Sequence, residues 1–335
     1  MKIIFIINRY KYRKLAFNNF LKIKFLNNHR LIDLSGPFLS WLGYLIFKLD
    51  LSDKFKFISC DGWPFLFNEK NSINIWFGGT TLKIPEVLKK YKNNYVTAMT
   101  LFTNTKNIIQ FYPYKIRKMS SPKKTKIIIA LSCKTVEDTL ALKIWDENKK
   151  KILNNLSLLE KEMFWSNIGI NHLDNKKKHS IYIDIKSLVR IELLKVIKHT
   201  FKESCIFIGN DLKKYFPDAL GSNFKYGYLK SFYDGNICLD FLAKDGDQLL
   251  YPRSIEILES GGVLFQIETE NSKELFEKYK DNLSFNSTSE MIIKLENLLN
   301  KDKELEIFNN FFIKKFNLTN YNEKSLNKIF NLISD

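Results

Sequence analysis

Two residues of opposite charge, Arg253 and Glu256, stand three positions apart in the stretch "YPRSIEILESGG". On a helix that spacing places both side chains on one face. The guanidinium suits a diphosphate, because it donates two parallel hydrogen bonds, and the carboxylate suits paired sugar hydroxyls, because it accepts from both. A plain ion pair on a helix surface has the same spacing, so both interpretations stay open.

A double glycine, Gly261-Gly262, follows this segment and precedes the apolar run "VLFQIE" at 263–268. Glycine permits positive φ, so the pattern predicts a helix that ends at a glycine and passes directly into a buried strand. Any helix-to-strand turn could use such glycines. The charged pair is therefore the stronger candidate for chemistry.

Short apolar runs alternate with amphipathic segments along the whole chain. The predicted strands are 2–7, 55–60, 73–78, 95–100, 126–132, 180–185, 205–210, 235–243 and 263–268. The predicted helices include 188–201, 251–262, 288–300, two in the tail, and one from Thr80 or Thr81 to Lys92 after a Gly78-Gly79 turn. This alternation predicts an α/β fold with parallel sheets, in which ligands bind at the carboxyl ends of strands.

The length of 335 residues suits two domains better than one core. Residues 149–180 are polar, lysine-rich and contain turn formers, so we place a linker there. The predicted organisation is two doubly wound Rossmann-like domains, 1–168 and 169–320, with 321–335 as a terminal helix that packs back on the first domain.

The chain is strongly basic, with 53 Lys and Arg against 36 Asp and Glu and a formal charge of +17. The excess favours an anionic partner, although a bias toward Lys, Asn and Ile in an AT-rich gene would produce the same balance. The chain has no helix-turn-helix, zinc-finger or RNP pattern, so we expect no specific nucleic-acid partner.

Cysteines and histidines indicate neither disulfides nor a metal site. The four cysteines, Cys60, Cys133, Cys205 and Cys238, are widely spaced and lie in or beside apolar runs, which predicts reduced core residues of a cytoplasmic protein. The four histidines form no HxxxH or HExxH spacing, so we expect no metal.

The longest apolar run, "GPFLSWLGYLIFKL" at 36–49, is too short for a bilayer that needs roughly 20 residues. It predicts either a buried helix or a helix lying in a membrane interface. The basic cluster "RYKYRK" at 9–14 is close by, so we hypothesise that segment 10–50 contacts an anionic membrane surface or a lipid-linked acceptor on the inner face.

Several segments of the second half occur in a recognisable order. They are "ICLDF" (237–241), Arg253 with Glu256, Gly261-Gly262, "VLFQI", "ELF" (274–276) and "FNSTSE" (285–290). In this order they resemble the donor-binding domain of GT-B fold glycosyltransferases, of the kind called glycosyl transferases group 1. The resemblance covers 165–330 and implies two Rossmann-like domains that face a cleft.

The resemblance also implies donor-binding residues. Arg253 would lie by the diphosphate and Glu256 on the nucleotide ribose, with Tyr251, Gly261 and Gly262 around them. The "IGND" loop, with Gly209 and Asn210, resembles the glycine loop that lies against the nucleotide. Gln248 stands where the family carries the first glutamate of its E-x7-E motif, and this departure puts the usual contact to the donor sugar in doubt.

The implied activity is metal-independent and cofactor-free transfer of a sugar, of hexosyltransferase type, from a nucleotide-diphosphate donor to an acceptor. The acceptor would be a glycan, a lipid-linked molecule or a surface polysaccharide. An inverting reaction would need a general base. We assign none; Asp61, in "SCDGW", is a candidate whose competing interpretation is an Asp-Gly turn.

Two rival functions stay open. The replacement of the first glutamate by Gln248 favours a catalytically degenerate GT-B-like protein that binds a glycan or a partner. The triplet Asp245-Gly246-Asp247 matches the DxD metal ligands of GT-A transferases, but it stands in a polar loop before the Arg253 helix rather than after a hydrophobic strand.

Overall fold

The computed structural model describes part of the chain. The described residues are 3–8, 30–35, 42, 45, 55–60, 72–76, 95–98, 101–102, 109–111, 116–120, 124–221, 228–241, 248–250, 252–269 and 271–317. Several predictions fall outside them: the helix after Thr80 or Thr81, Asp61, Tyr251, the Asp245-Gly246-Asp247 triplet and the terminal helix 321–335.

A six-stranded parallel sheet occupies the first third of the chain. Its strands are β1 (Ile3–Asn8), β2 (Arg30–Ser35), β3 (Phe55–Cys60), β4 (Ser72–Trp76), β5 (Tyr95–Ala98) and β7 (Ile109–Phe111), in the order β2-β1-β3-β4-β5-β7. The short β6 (Leu101–Phe102) pairs instead with β11 (Gln248–Leu250), antiparallel. The strands predicted at 2–7, 55–60, 73–78 and 95–100 are confirmed.

A second parallel sheet has five strands. They are β8 (Ile127–Ala130), β9 (Cys205–Ile208), β10 (Ile237–Asp240), β12 (Val263–Ile267) and β13 (Ser284–Phe285), in the order β13-β12-β10-β8-β9. Nearly every residue of β8, β10 and β12 is buried, as expected for a parallel sheet covered on both faces. The protein is therefore α/β, with a sheet of Rossmann-like type.

Helices cover this second sheet. Those in the described residues are α1 (Thr139–Asn154), α2 (Glu162–Asn167), α3 (Asn175–Phe201), α4 (Lys230–Tyr233), α5 (Pro252–Glu259), α6 (Ser272–Phe276), α7 (Lys280–Leu283), α8 (Thr288–Leu299) and α9 (Asp302–Asn317). Short 3-10 helices lie at Leu156–Glu160, Ile170–His172, Lys202–Ser204, Asn210–Lys214 and Glu277–Tyr279. Helix α1 packs on α3, and both contact α8.

The strand predicted at 180–185 is wrong, because these residues belong to the 27-residue helix α3. The run "SIYIDI" is rich in β-branched residues, which favoured a strand. In the structure Ile181 and Ile185 are buried one helical turn apart, and Asp184 beside them is also buried. The helical period of the buried face therefore overrides the local strand propensity.

The chain divides into two compact units. One comprises 1–116, 247–255 and 313–335, and the other comprises 117–246 and 256–312. The predicted boundary at 168 lies within the second unit, and the segment predicted as a linker contains helical residues of α1, α2 and α3. Strand β8 lies within the predicted first domain, 1–168, but it pairs with β9 and β10 in the second sheet.

Apolar residues that were predicted to be buried are buried in most cases. Cys133, Cys205 and Cys238 are buried free thiols.

The apolar run 36–49 is described only at Leu42 and Leu45, and both residues are helical. They are 42% and 45% exposed, so the burial expected of that helix is not found at these two residues. Among the helices of the described residues, none combines the length and apolar character needed to cross a membrane.

A buried amide on α9 holds the chain that leads into β8. Asn309 is fully buried; its Oδ1 accepts a hydrogen bond of 3.0 Å from the Met119 N–H, and its Nδ2 donates one of 3.1 Å to the Arg117 carbonyl. Next to it, Ser120 donates to Asp234 through both its N–H (2.8 Å) and its hydroxyl (2.7 Å). These contacts fix the segment that precedes β8, an interior strand of the second sheet.

Replacing Asn309 should therefore destabilise the second unit. We expect Asn309→Leu to lower the free energy of unfolding by about 1–3 kcal/mol, because two backbone groups lose their partner. The matched control, Asn300→Leu at an exposed position, should change it by less than about 0.5 kcal/mol. Urea unfolding of both variants tests this, and equal midpoints for Asn309→Leu and the wild type would contradict it.

Candidate functional site

The carboxyl edge of the second sheet is the place to expect a ligand. If β8, β9, β10, β12 and β13 are numbered 1 to 5, their order across the sheet is 2-1-3-4-5, as in flavodoxin-like folds. From β8 the chain first adds β9 on one side of it and then adds β10, β12 and β13 on the other side. The switch point is therefore between β8 and β10. In open parallel sheets, ligands bind outside the carboxyl ends of the strands at such a switch point. The residues that follow β8, β9, β10 and β12 are therefore the first to consider.

Gly209 and Asn210 lie at this edge, directly after β9. A Cβ on Gly209 would stand only 2.2 Å from the Leu131 carbonyl oxygen, so no larger residue fits while the two loops keep their present positions. A hydrogen bond from Leu131 N–H to the Ile208 carbonyl (3.1 Å) joins the segments that leave β8 and β9, and Gly209 N–H donates to the Leu220 carbonyl (2.9 Å) further along the chain. The glycine thus permits the close approach of the chain segments that leave β8 and β9.

The loop after β8 adds polar groups that were not singled out from the sequence. The Ser132 hydroxyl donates to Asp211 at 2.5 Å. Lys134 donates to Asp184 of α3 at 2.9 Å, and this aspartate is only 2% exposed. The hydrogen bond to Asp184 raises the pKa of Lys134 above its ordinary value. The carboxyl edge therefore carries a lysine whose position is set by a buried carboxylate.

Cys133, in the same loop, is unsuited to nucleophilic chemistry. Burial raises the pKa of its thiol to about 11, while nearby Arg190 lowers it and Asp211 raises it further. The thiolate is the reactive form of cysteine, and at this pKa the thiol stays protonated near neutral pH. Cys133 is therefore a packing residue.

Arg253 and Glu256 both lie on α5, as predicted, and three positions apart. Arg253 is half-buried and Glu256 is 8% exposed. Glutamate is rarely buried to this degree unless its carboxylate has partners. The burial distinguishes Glu256 from the plain surface glutamate that the sequence left open.

Gly261 and Gly262 lie at the opposite edge of the sheet, just before the amino end of β12. Gly261 has φ of 84°, and a Cβ on it would meet Asp234 Oδ1 at 2.8 Å. A Cβ on Gly262 would meet Cys238 Sγ at 2.8 Å. Both glycines therefore have a sufficient structural role in the turn from α5 into β12, and the structure does not bring them together with Gly209 and Asn210.

Gln248 begins the short strand β11, where it pairs with Phe102 of β6. Its position belongs to the first compact unit, whereas Glu256 belongs to the second. Tyr251 and Asp61 lie outside the described residues. Among the described residues, no group of three or more His, Cys, Asp or Glu side chains could hold a metal ion.

A row of buried polar residues crosses the sheet near its carboxyl edge. Asp240 of β10 is in register with Gln266 of β12, and Gln266 is in register with Ser284 of β13. Residues in register on neighbouring strands project to the same face of a sheet. The three are at most 9% exposed, in a sheet that is otherwise apolar. Sequence reasoning missed this row, because each residue stands alone in its own apolar run.

The segment "FNSTSE" forms the start of helix α8. The Ser287 hydroxyl accepts from the Glu290 N–H at 3.2 Å, and Glu290 Oε2 accepts from the Asn286 N–H at 2.7 Å. This arrangement is a variant of the capping box, in which the glutamate reaches the N–H of the residue before the N-cap. Lys294 donates to Glu290 Oε1 at 2.5 Å. Glu290 thus has a structural role that explains its position in the motif.

No protein-family model matches this chain, and a search of curated proteins found no match either.

The close approach at Gly209 leads to a stability prediction. We expect Gly209→Ala to lower the free energy of unfolding by about 1–3 kcal/mol, because the added methyl group meets a backbone oxygen that cannot move cheaply. In the control Gly221→Ala, the nearest atom to the new Cβ is Asn210 Oδ1 at 3.2 Å, a side-chain end that can rotate. That variant should change the stability by less than about 1 kcal/mol. Equal losses in thermal unfolding would contradict the argument.

The capping box leads to a pH prediction. Burial raises the pKa of Glu290, but the hydrogen bonds from Lys294 and from the Asn286 N–H outweigh it, so the pKa lies below its ordinary value of 4.5. A lowered pKa in the folded state means that the stabilisation is present above pH 4.5 and is lost as the pH falls through the folded-state pKa. Glu290→Gln should then be less stable than the wild type by roughly 0.5–1 kcal/mol at pH 7.

Urea unfolding at pH 7 and at pH 3 measures this difference, which should be smaller at pH 3. The control, Glu296→Gln at an exposed position of the same helix, should differ from the wild type by less than about 0.5 kcal/mol at pH 7. A Glu290→Gln deficit that is undiminished in acid would exclude the carboxylate charge as its origin.

Proposed function

We propose that this protein is a glycosyltransferase of the GT-B type, in which two doubly wound domains face a cleft. It would move a sugar, of hexosyltransferase type, from a nucleotide-diphosphate donor to a glycan, a lipid-linked molecule or another surface-polysaccharide acceptor, without a metal or a cofactor. Residues 169–320 would bind the donor, and segment 10–50 would contact the acceptor or an anionic membrane surface.

The observation that carries the proposal is Glu256, a buried glutamate on the helix between two strands of a parallel sheet. Desolvating a carboxylate is costly, so a chain that buries one must hold it with partners in a defined geometry. A carboxylate held in this way is preorganised to accept two hydrogen bonds from adjacent hydroxyls. The ribose of a nucleotide offers such a pair.

The local order of elements supports the same assignment. Strand β10, helix α5, the Gly261-Gly262 turn, strand β12, helix α6 and the capped helix α8 follow one another as the resemblance requires. Arg253 precedes Glu256 by three residues on α5, so its guanidinium would serve the diphosphate. Gly209 and Asn210 follow β9 at the ligand-binding edge and would lie against the nucleotide.

Charge stabilisation of the leaving diphosphate is the main chemical requirement of the reaction. Arginine, lysine and helix N-termini can supply it. Lys134, held by Asp184 at the carboxyl edge, is a further candidate for this role. Asp61 stays a candidate for the general base of an inverting reaction.

A binding protein that has lost catalysis is the second candidate function. It is favoured by Gln248, an uncharged amide at the position where the family carries a glutamate. Hydrolysis or transfer from a nucleotide sugar separates the two functions, because a degenerate protein would bind the donor without turnover.

Nucleotide binding is the first test. We expect one of UDP, GDP, ADP or CMP to raise the melting temperature, equally with and without EDTA. A ligand at one hundred times its Kd stabilises the folded state by about 2.7 kcal/mol. Glu256→Gln and Arg253→Ala should each weaken this binding about tenfold or more, because a charge-assisted contact is lost.

The matched control is Glu259→Gln, which makes the same chemical change one turn further along α5 and should leave nucleotide binding unchanged. If Glu259→Gln weakens binding as much as Glu256→Gln does, the placement of the ribose on Glu256 is wrong. If no nucleotide binds the wild type, the proposed transferase is wrong.

A further inference from the structure

The polar row near the carboxyl edge contains one atom without a partner. Within the described part of the chain, Gln266 Oε1 is buried and accepts no hydrogen bond, and the whole residue is only 2% exposed. Its neighbour in the row, Ser284, differs, since its hydroxyl donates to the Lys280 carbonyl at 2.8 Å. Gln266 is thus an exception among the buried polar side chains.

An unpaired buried acceptor is unfavourable for folding, because the group gives up its hydrogen bonds to water and receives nothing in return. Asn309 is the instructive contrast: it is an equally buried amide, and both of its polar atoms are paired with the backbone. The presence of an amide at position 266 therefore indicates that a group outside the chain, such as a bound ligand, donates a hydrogen bond to Oε1.

The place of Gln266 in the sheet indicates which group that is. It is the fourth of the five residues of β12, and it stands in register with Asp240, the last residue of β10. Strand β10 forms one side of the switch point at which ligands of such sheets bind. The unpaired oxygen therefore lies one strand away from the expected ligand position, at the correct edge of the sheet.

We propose that Gln266 is a ligand-binding residue whose Oε1 accepts a hydrogen bond from a hydroxyl or amino group of the nucleotide sugar, an assignment that rests on the proposed function. A carbonyl oxygen only accepts, so it suits an O–H or N–H group and not an ionised phosphate. The carboxylate of Asp240 in the same row disfavours a phosphate further. The donating group belongs either to the nucleoside or to the transferred sugar.

The test is Gln266→Met, which keeps the length of the side chain and removes both polar atoms. We expect opposite effects on stability and binding. Without ligand, the melting temperature should rise by about 2 °C, because an unpaired buried group is gone. The affinity for the nucleotide sugar should fall about tenfold, because its donating group loses its acceptor.

Asn309→Leu is the matched control, a buried amide replaced by an apolar residue elsewhere in the same unit. It should lower the melting temperature and leave the affinity unchanged. If Gln266→Met also lowers the melting temperature and leaves the affinity unchanged, then Oε1 is paired in solution, by a buried water for example, and the proposal is overturned.

Calorimetry with three probes identifies the source of the hydrogen bond. Pyrophosphate should bind the wild type and Gln266→Met equally. A loss of affinity for both UDP and a UDP-sugar, or for the corresponding pair of whichever nucleotide binds, assigns the donating group to the nucleoside. A loss for the nucleotide sugar alone assigns it to the sugar, and a loss for pyrophosphate would overturn the proposal.

These outcomes separate the inference from the proposed function. If the wild type binds a nucleotide sugar and Gln266→Met binds it equally well, the proposed function stands and the role of Gln266 is wrong. If the wild type binds no nucleotide or nucleotide sugar, both are wrong as stated, whatever the melting temperature of the variant.

Discussion

The pairing of β8 with β9 on one side and β10 on the other is the constraint on which the second sheet depends. All these strands are parallel, so each connection must cross a face of the sheet, and the chain must pass over β8 to go from β9 to β10. This crossing creates the switch point. The pairing of β8 with β9 also explains the close approach at Gly209, because the segments that leave these strands lie side by side and are joined by the hydrogen bond from Leu131 N–H to the Ile208 carbonyl.

Burial has opposite consequences for two classes of polar side chain in this unit. Both polar atoms of the buried Asn309 are paired with the backbone of the segment that precedes β8, and there they fix the architecture. Gln266, near the carboxyl edge, has an unpaired oxygen and contributes nothing comparable. A polar group that disfavours folding is expected where binding needs it, since natural proteins retain such groups at functional sites.

Much of the fold could be predicted from the sequence, because apolar runs bounded by turn residues identify buried strands. The strand at 55–60 and the helix at 288–300 were predicted nearly to the residue. The segment 180–185 failed, because β-branched residues within a long helix mimic a strand over a short window. The sheet to which β8 belongs could not be read from chain order either, since any apolar strand fits either sheet.

The candidate site was only partly accessible from sequence for a related physical reason. Arg253 and Glu256 are close along the chain, so their spacing on one helix indicates a shared role. Lys134 and Asp184 are 50 residues apart, and Asp240 and Gln266 are brought into register only by the pairing of β10 with β12. Such juxtapositions follow from topology.

The residues at and beyond the end of α5 are constrained by packing. The helix ends just before the Gly261-Gly262 turn, where the chain enters the amino end of β12. Gly261 has a positive φ, and a Cβ on Gly262 would stand 2.8 Å from Cys238 Sγ, so the turn requires both glycines. Packing therefore accounts for the glycines without any ligand. It does not account in the same way for Glu256, because an apolar side chain could fill a position that is only 8% exposed without the cost of desolvating a carboxylate.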